Sequence, residues 1–185
     1  MTFGERIVGA LKLDGNTFED IERDPTAMGQ AVGVIALAAL AGSLGSIWRF
    51  GIGTMLFSMV AALIGYCLWA VVVWLVGTKV MPDPATKADF PEAFRTIAFA
   101  AAPGFINVVS VVPFLGAVLT FILFPIVWLW SMAAMVVAVR QVLDYKETFK
   151  AVIVVIIGFV AYLIVMGTLA MMSFGAALVG GALTR

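Results

Sequence analysis

The chain has 185 residues, of which 63% are hydrophobic and only 12% are charged. Soluble domains carry about 25% charged residues, so this composition excludes an ordinary soluble protein and indicates an integral membrane protein. The net charge is zero and the chain has no histidine. A nucleic-acid partner is therefore not expected, and the commonest metal ligand and general base are missing. The single Cys67 cannot form an internal disulfide and is interpreted as a small packed residue.

The first 26 residues form a mixed, polar region for which two short helices are predicted. In residues 3–13 the apolar side chains share one side of a helix, and Glu5, Arg6 and Lys12 share the other. This helix suits either the membrane interface or packing against the protein's own loops, and the sequence leaves both open. The region differs from a cleavable signal peptide, so the first apolar segment is expected to remain as a span.

The rest of the chain contains five apolar segments of about 20 residues, the length that crosses a bilayer. One helix cannot contain the 44 uncharged residues after Arg95, because at 1.5 Å per residue they would reach about 66 Å across a core of about 30 Å. The prediction is an all-α integral membrane protein, a five-transmembrane-helix bundle with a short amphipathic N-terminal cytoplasmic helix. Its parts are a cytoplasmic region, 1–26, and a membrane domain, 27–185, with spans at about 27–47, 55–76, 93–112, 115–139 and 151–171. Residues 172–185 either extend the fifth span or fold back.

The third span has the clearest start signal. Asp89 can cap the helix, Pro91 falls in its first turn, and Glu92 completes a capping box. Pro103 and Pro125 lie near the middle of the third and fourth spans and are expected to kink them.

Lysine and arginine are distributed unequally between the two sides of the predicted bundle. Nine fall on the side of the N-terminus and two on the other, and all eleven acidic residues share the first side. This distribution predicts a cytoplasmic N-terminus and a C-terminus outside.

Two stretches resemble a known family. One is the helix start Phe90-Pro91-Glu92-Ala93-Phe94-Arg95 leading to Ala102-Pro103, and the other is the run from Thr17 to Ala31. With five spans, these resemble the Yip family, membrane proteins named for interacting with Ypt/Rab GTPases. The chain lacks the long cytoplasmic tail of eukaryotic members and is similar to the bacterial type. That resemblance implies a prokaryotic cell (inner) membrane and no settled activity.

Two groups of residues are candidates for function. The first is a cytoplasmic cluster, in which Glu22 or Asp24 is expected to pair with Arg95 or Arg140 and pin the N-terminal helices under the bundle. An alternative is that its acidic face binds a protein partner or a divalent cation through oxygen ligands. The full cluster is Glu19, Glu22, Asp24, Glu92, Arg95 and Arg140. The second group is intramembrane and polar, Tyr66, Asn107 and Ser110, and is expected to form hydrogen bonds between helices.

The spans contain no Asp, Glu, Lys or Arg in their interiors, although ion-coupled transporters usually need such residues there. No phosphate-binding loop, nucleophile elbow or carboxylate pair appears, so neither an enzyme nor a cofactor is expected. The main hypothesis is a non-enzymatic scaffold or interaction module in the lipid bilayer. It would bind a protein, or a second copy in a homo-oligomer, through its cytoplasmic face. The alternative is a small transporter, channel or lipid-handling protein with a cavity shaped by the proline-kinked spans.

Overall fold

The computed structural model describes residues 1–112 and 115–183, and in that part of the chain the regular structure is entirely helical. Seven α-helices follow one another: α1 Phe3–Leu11, α2 Gly15–Arg23, α3 Met28–Ser43, α4 Ile47–Leu75, α5 Phe90–Phe99, α6 Leu115–Val142 and α7 Thr148–Leu183. A 3₁₀ helix, Ala102–Val111, follows α5, and a π-helical turn, Val76–Val80, follows α4.

Four helical segments are long and apolar enough to cross a membrane: Pro25–Ser43, Phe50–Val80, Leu115–Val142 and Thr148–Thr168. The predicted third span consists of α5 and the 3₁₀ helix, which are bent by 46°. Counted as one span, this pair brings the number to five, and the predicted all-α membrane bundle is confirmed. Helix α7 continues to Leu183, which favours extension over folding back, while Thr184 and Arg185 lie outside the described residues.

The N-terminal helices share one hydrophobic core with the spans. Phe18 and Ile21 of α2 are fully buried together with Ile97 of α5 and Val139 of α6. The packing is therefore continuous across the predicted boundary at residue 26.

Helix α1 lies against the bundle with its apolar side facing inward. The ring of Phe3 meets the ring of Phe99 edge-on at 6.4 Å, and the indole N–H of Trp130 donates to the Leu11 carbonyl at 2.9 Å. Of the two positions that the sequence left open for this helix, the structure favours packing against the protein.

The lipid-facing belt of α6 ends where the N-terminal helices begin. Exposed large apolar side chains occur on α6 from Leu115 to Leu129, and the next residue, Trp130, contacts α1. At 28 residues, α6 is about 42 Å long, about 12 Å more than the hydrocarbon core. We infer that the excess projects from the membrane and is covered by α1 and α2.

Two breaks in the helices shape the opposite end of the bundle. Gly51 has a φ of 80°, a conformation that favours glycine, and it interrupts α4 shortly after its start. The 3₁₀ helix runs for ten residues, whereas such helices rarely exceed three or four. Pro103 lies in its first turn rather than inside an α-helix, so the predicted kink occurs at the junction with α5.

Candidate interaction surface at the charged end

We call one end of the bundle the charged end. It comprises the N-terminal hairpin, which is α1, its turn and α2, together with the start of α5 and the connections 76–89 and 143–147. The opposite end, residues 44–53 with 110–112 and the start of α6, is called the apolar end.

The N-terminal hairpin is built around the side chain of Arg6, which is only 2% exposed. Its Nε donates to Asp20 at 2.9 Å, one terminal nitrogen to Gln30 at 2.9 Å, and the other to Asp24 at 2.6 Å. The sequence pattern placed Arg6 on the polar side of α1, and in the structure α2 covers this side chain. A buried guanidinium is stable here because its neighbours supply two carboxylates and an amide oxygen.

The close crossing of α1 and α2 depends on Gly9. A Cβ atom at this position would lie 2.0 Å from Oγ1 of Thr17, a separation that real Cβ atoms do not reach. The absence of a side chain therefore lets the two helices approach and brings Arg6 within reach of the α2 carboxylates.

Asp24 is bound on both oxygens. Its Oδ2 accepts from Arg6, and its Oδ1 accepts from the backbone N–H of Thr26 at 2.9 Å and from the Thr26 hydroxyl at 2.6 Å. The Thr26 hydroxyl, and next Arg6, lower the pKa of Asp24 to about 2. Asp24 is therefore paired with Arg6, and not with Arg95 or Arg140 as the sequence suggested.

Arg95 joins the hairpin to the third span through backbone atoms. It is 5% exposed, and its Nε donates to the carbonyls of Ile21 at 3.0 Å and Glu22 at 2.8 Å. A terminal nitrogen also donates to the Glu22 carbonyl, and Glu92 lies 3.8 Å away. These carbonyls belong to the last turn of α2, where acceptors lack helical donors and the dipole favours a cation. The contact thus links the predicted regions, but carbonyls replace the expected carboxylates.

Three carboxyl groups from three elements lie near this junction. Burial raises the pKa of Glu22 to about 7, with further contributions from Asp144 and Glu92. Glu19 instead pairs with the exposed Arg23 of its own helix. The structure thus brings two predicted residues, Glu22 and Glu92, together with Asp144, which the sequence analysis had not selected.

The hydrogen bond described for the Arg140 side chain is local. Its side chain is exposed, and its Nε donates to the carbonyl of Tyr145 at 3.3 Å, just after its own helix. The predicted pairing of Arg140 with Glu22 or Asp24 is replaced by this local contact.

The two polar connections of the charged end are docked to each other. The Tyr145 hydroxyl donates to the Met81 carbonyl at 2.6 Å, and the Thr86 hydroxyl donates to the Leu143 carbonyl at 2.6 Å. Lys150 pairs with Asp83 at 2.9 Å. The surface around the hairpin is therefore held together by contacts between loops.

The outer face of the hairpin bears a shallow depression of about 490 Å³. It is lined by Met1, Gly4, Glu5, Val8, Gly9, Lys12, Asp14 and Thr17. Within the described part of the chain, no group of three or more His, Cys, Asp or Glu side chains is placed to hold a metal ion. The acidic residues Asp20 and Asp24 are occupied by Arg6.

The intramembrane residues of the sequence analysis occupy different places. Asn107 and Ser110 lie on one face of the 3₁₀ helix with Gly104, because residues three apart are eclipsed there. Ser110 lies against α3, since its hydroxyl accepts from the Gly45 N–H at 3.1 Å and donates to the Ala41 carbonyl at 3.4 Å. Tyr66 lies on α4, partly buried against the hydrophobic core, and the hydrogen bonds of Ser110 do not include it.

A second cavity, of about 1440 Å³, opens at the apolar end. Among the residues described, its lining includes Ser110 and Pro125, whereas Asn107 is not part of it. Its walls are mostly apolar.

Comparison with protein families decides the identity of the fold. A match to the family described as Yip1 domain covers residues 9–180. The chain belongs to the Yip1 domain family. This confirms the resemblance seen at Phe90–Arg95 and in the N-terminal run, and with the apolar helices it makes the chain a multi-pass membrane protein. Searches of curated proteins and of solved structures found no match.

Sequence reasoning found Arg95 but missed the role of Arg6. The sequence of the N-terminal hairpin contained a signal for this contact. Arg6 and Gly9 lie three residues apart on one helix, and Asp20 and Asp24 lie four apart on the next. Such spacings place each pair on one face of its helix. A turn at residues 12–14 that brings these two faces together would then have predicted the contact.

Proposed function

We propose that this Yip1 domain protein is a non-enzymatic interaction module whose working surface is the outer face of the N-terminal hairpin. The observation that supports this most directly is the fixing of the hairpin by two buried guanidinium groups, Arg6 and Arg95. Because both ends of the hairpin are tied down, its exposed side chains are presented in one arrangement, which lowers the entropy lost on binding.

The charge of the hairpin favours one class of partner. Residues 1–26 contain three Lys or Arg and six Asp or Glu, and Arg6 is buried against two of the acidic residues. The other charged side chains are Glu5, Asp14, Glu19 and the partly buried Glu22 against Lys12 and Arg23, so the remaining surface is weakly acidic. This charge disfavours anionic headgroups and a second hairpin facing it. A protein with a basic surface is the complementary partner.

We also infer that the charged end faces the cytoplasm and that the protein resides in a prokaryotic cell (inner) membrane. The distribution of Lys and Arg supports this orientation. Reporter domains fused to each terminus in a bacterial host test the orientation. A reporter active only outside the cell when fused to the N-terminus would contradict it.

Photocrosslinking in native membranes tests the interaction surface. A photoreactive amino acid in place of Val8, which is 49% exposed, samples the depression on the hairpin. The matched control replaces Leu163 on α7, which is 51% exposed and faces lipid. We expect a discrete protein adduct at position 8 and only lipid adducts at position 163.

Two further variants link the adduct to the proposed surface. Glu19→Lys reverses an exposed charge and should weaken the adduct, and Arg95→Ala should weaken it by releasing the end of α2. Lipid adducts alone at position 8, an adduct of twice the chain mass, or an adduct insensitive to Glu19→Lys would contradict the proposal of a basic protein partner.

The transporter or channel alternative receives less support. The span interiors contain no Asp, Glu, Lys or Arg, and the face of the 3₁₀ helix that carries Asn107 and Ser110 is turned toward α3. The lipid-handling form of that alternative is favoured by the apolar cavity at the other end of the bundle.

A further inference from the structure

The cavity at the apolar end is an open groove along α6. Ala117 and Pro125 are its first and last lining residues on this helix, and they are separated by about 12 Å along the axis. That length is close to one leaflet's share, about 15 Å, of the hydrocarbon core. Its other walls are the end of α3 and the residues that flank the 3₁₀ helix, represented by Gly42, Gly45 and Val112.

A proline and several small residues line the groove. Pro125 lies inside α6 and removes the donor that would normally serve the Phe121 carbonyl. Small residues, Gly42, Gly45 and Ala117, form part of the lining. A Cβ added to Gly42 would meet no atom within 4 Å, so the space beside it is open.

Among the residues that the structure describes, part of the wall of the groove is left open. The Thr120 hydroxyl oxygen is buried without a hydrogen-bond partner, and large apolar side chains on the rim are strongly exposed, with Phe121 at 84%. The exposed rim is continuous with the lipid-facing belt of α6 that runs to Leu129. In a bilayer, hydrocarbon chains are the medium that meets this belt.

The entrance of the groove is marked by an interfacial aromatic residue. Trp48 lines the cavity, and its indole N–H donates to the Val111 carbonyl at 2.7 Å. Tryptophan is enriched at the level of lipid headgroups. The groove thus runs from that level toward the bilayer centre, in the direction of a lipid chain.

We propose that this groove is a binding site for one acyl chain of a membrane phospholipid from the leaflet at the apolar end. The site is separate from the hairpin surface and does not depend on the proposed interaction function. A bound chain differs from surrounding lipid in having walls on several sides, contributed by α3, α6 and the residues flanking the 3₁₀ helix.

The test uses the full chain in vesicles of phosphatidylethanolamine and phosphatidylglycerol, with a phospholipid that carries a photoreactive group in its acyl chain. Labelled peptides are mapped and quantified at two equally exposed positions, Ile122 beside the groove and Ile156 on α7, both 55% exposed. We expect labelling around Ile122 to exceed that around Ile156 by about threefold or more, as for a site that retains its ligand. Equal labelling at the two positions would show only surrounding lipid and would overturn the proposal.

A matched pair of substitutions on α3 separates filling of the groove from damage to the fold. Gly42→Leu places a side chain in the groove, and Gly33→Leu places the same side chain on the same helix outside it. Both glycines have open space at the Cβ position, so both variants are expected to insert and fold. Gly42→Leu should reduce labelling around Ile122 to the Ile156 level, and Gly33→Leu should leave it unchanged. Equal behaviour of the two variants would overturn the proposal.

A third variant tests the chemistry of the occupant. A hydrocarbon chain cannot bond the Thr120 hydroxyl, so the isosteric Thr120→Val should label as strongly as the original chain, or more strongly. Reduced labelling in this variant would indicate an occupant with a polar group and would overturn an acyl chain. With a photoreactive amino acid in place of Ile122, a protein–protein crosslink would do the same, because it would place a second copy in the groove.

Discussion

The side chains at the two ends of the bundle are stabilised in opposite ways. At the charged end, Arg6 and Arg95 are buried, and each is bonded to several oxygen atoms of the protein. At the apolar end, large side chains such as Phe50 and Phe121 are exposed, and a broad groove is open. The difference follows from the surrounding medium. Buried charges require hydrogen-bond partners within the protein, whereas exposed apolar groups in a membrane are covered by lipid.

This comparison shows where substitutions should matter. The charged end has few alternatives for its buried groups, so removal of one partner leaves others unpaired. At the apolar end the surrounding lipid adapts to the shape of the protein. A substitution there should therefore cause a smaller loss of stability. The expected effects therefore decrease from the first end to the second.

The largest effect is expected for Arg6→Met. The change leaves Asp20, Asp24 and Gln30 without their shared donor, and removal of one partner from a buried pair costs about 3–5 kcal/mol. Denaturation in detergent, with hydrogen exchange of residues 3–23, measures the loss. The control is Arg23→Met, at an arginine whose side chain is 75% exposed, which should change stability by less than about 0.5 kcal/mol. Similar losses in both variants would show that Arg6 is not a structural anchor.

The next effect concerns the crossing of α1 and α2. Gly9→Ala places a Cβ on the Thr17 side chain, whereas Gly4→Ala on the same helix meets no atom within 4 Å. Overpacking costs about 1–3 kcal/mol, while alanine at an open helical site is favourable by about 0.5–1 kcal/mol. The two variants should therefore shift the unfolding midpoint in opposite directions. A stabilising Gly9→Ala would contradict the close crossing.

The third effect is a dependence on pH near neutrality. Burial, Asp144 and Glu92 raise the pKa of Glu22 from 4.5 to about 7, so the folded hairpin binds a proton that the unfolded chain releases. This contribution to stability is complete below about pH 4.5 and is lost as the pH rises through 7. The pKa shift of Glu22 corresponds to a change in the free energy of unfolding, which partial solvent screening reduces to about 1–2 kcal/mol.

Glu22→Gln should remove this dependence and stabilise the hairpin at pH 8, as measured by hydrogen exchange of α2 across the pH range. Glu19→Gln, on the exposed side of the same helix, is the control. A pH profile that is unchanged in Glu22→Gln would assign the titration to another group.

The smallest effect is expected at the apolar end. Trp48→Phe removes the hydrogen bond from the indole to the Val111 carbonyl, and such bonds between membrane segments contribute about 0.6 kcal/mol. Denaturation in detergent should show a loss of this size. A loss as large as that of Arg6→Met would mean that the apolar end is held as tightly as the charged end.

Much of the fold could be predicted because it depends on local chemistry. The apolar runs identified the bundle, and the signal at Asp89 was correct, since its side chain accepts from the Glu92 N–H at 2.7 Å and the capping box is complete. Arg95 contacts the N-terminal helices, but its acceptors are carbonyls rather than the carboxylates expected from the sequence, and no side-chain pattern reveals them.

The burial of Arg6 could not be read from one helix. An amphipathic pattern assumes that a charged side faces water, and this fails when a second helix supplies carboxylates. The 3₁₀ helix was missed for a related reason, because an uncharged apolar run reports that a segment crosses the membrane but does not report its pitch.

The pitch of the 3₁₀ helix determines how far the third span reaches and which of its residues face α3. Ten residues extend about 20 Å as a 3₁₀ helix and about 15 Å as an α-helix. From Gly104 to Ser110 a 3₁₀ helix makes two full turns, whereas an α-helix would fall about a third of a turn short. Ser110 would then turn away from Ala41 on α3 and from Gly45 just after this helix, the two residues that its hydroxyl contacts. The two hydrogen bonds of the Ser110 hydroxyl thus depend on both the length and the rotation of the third span.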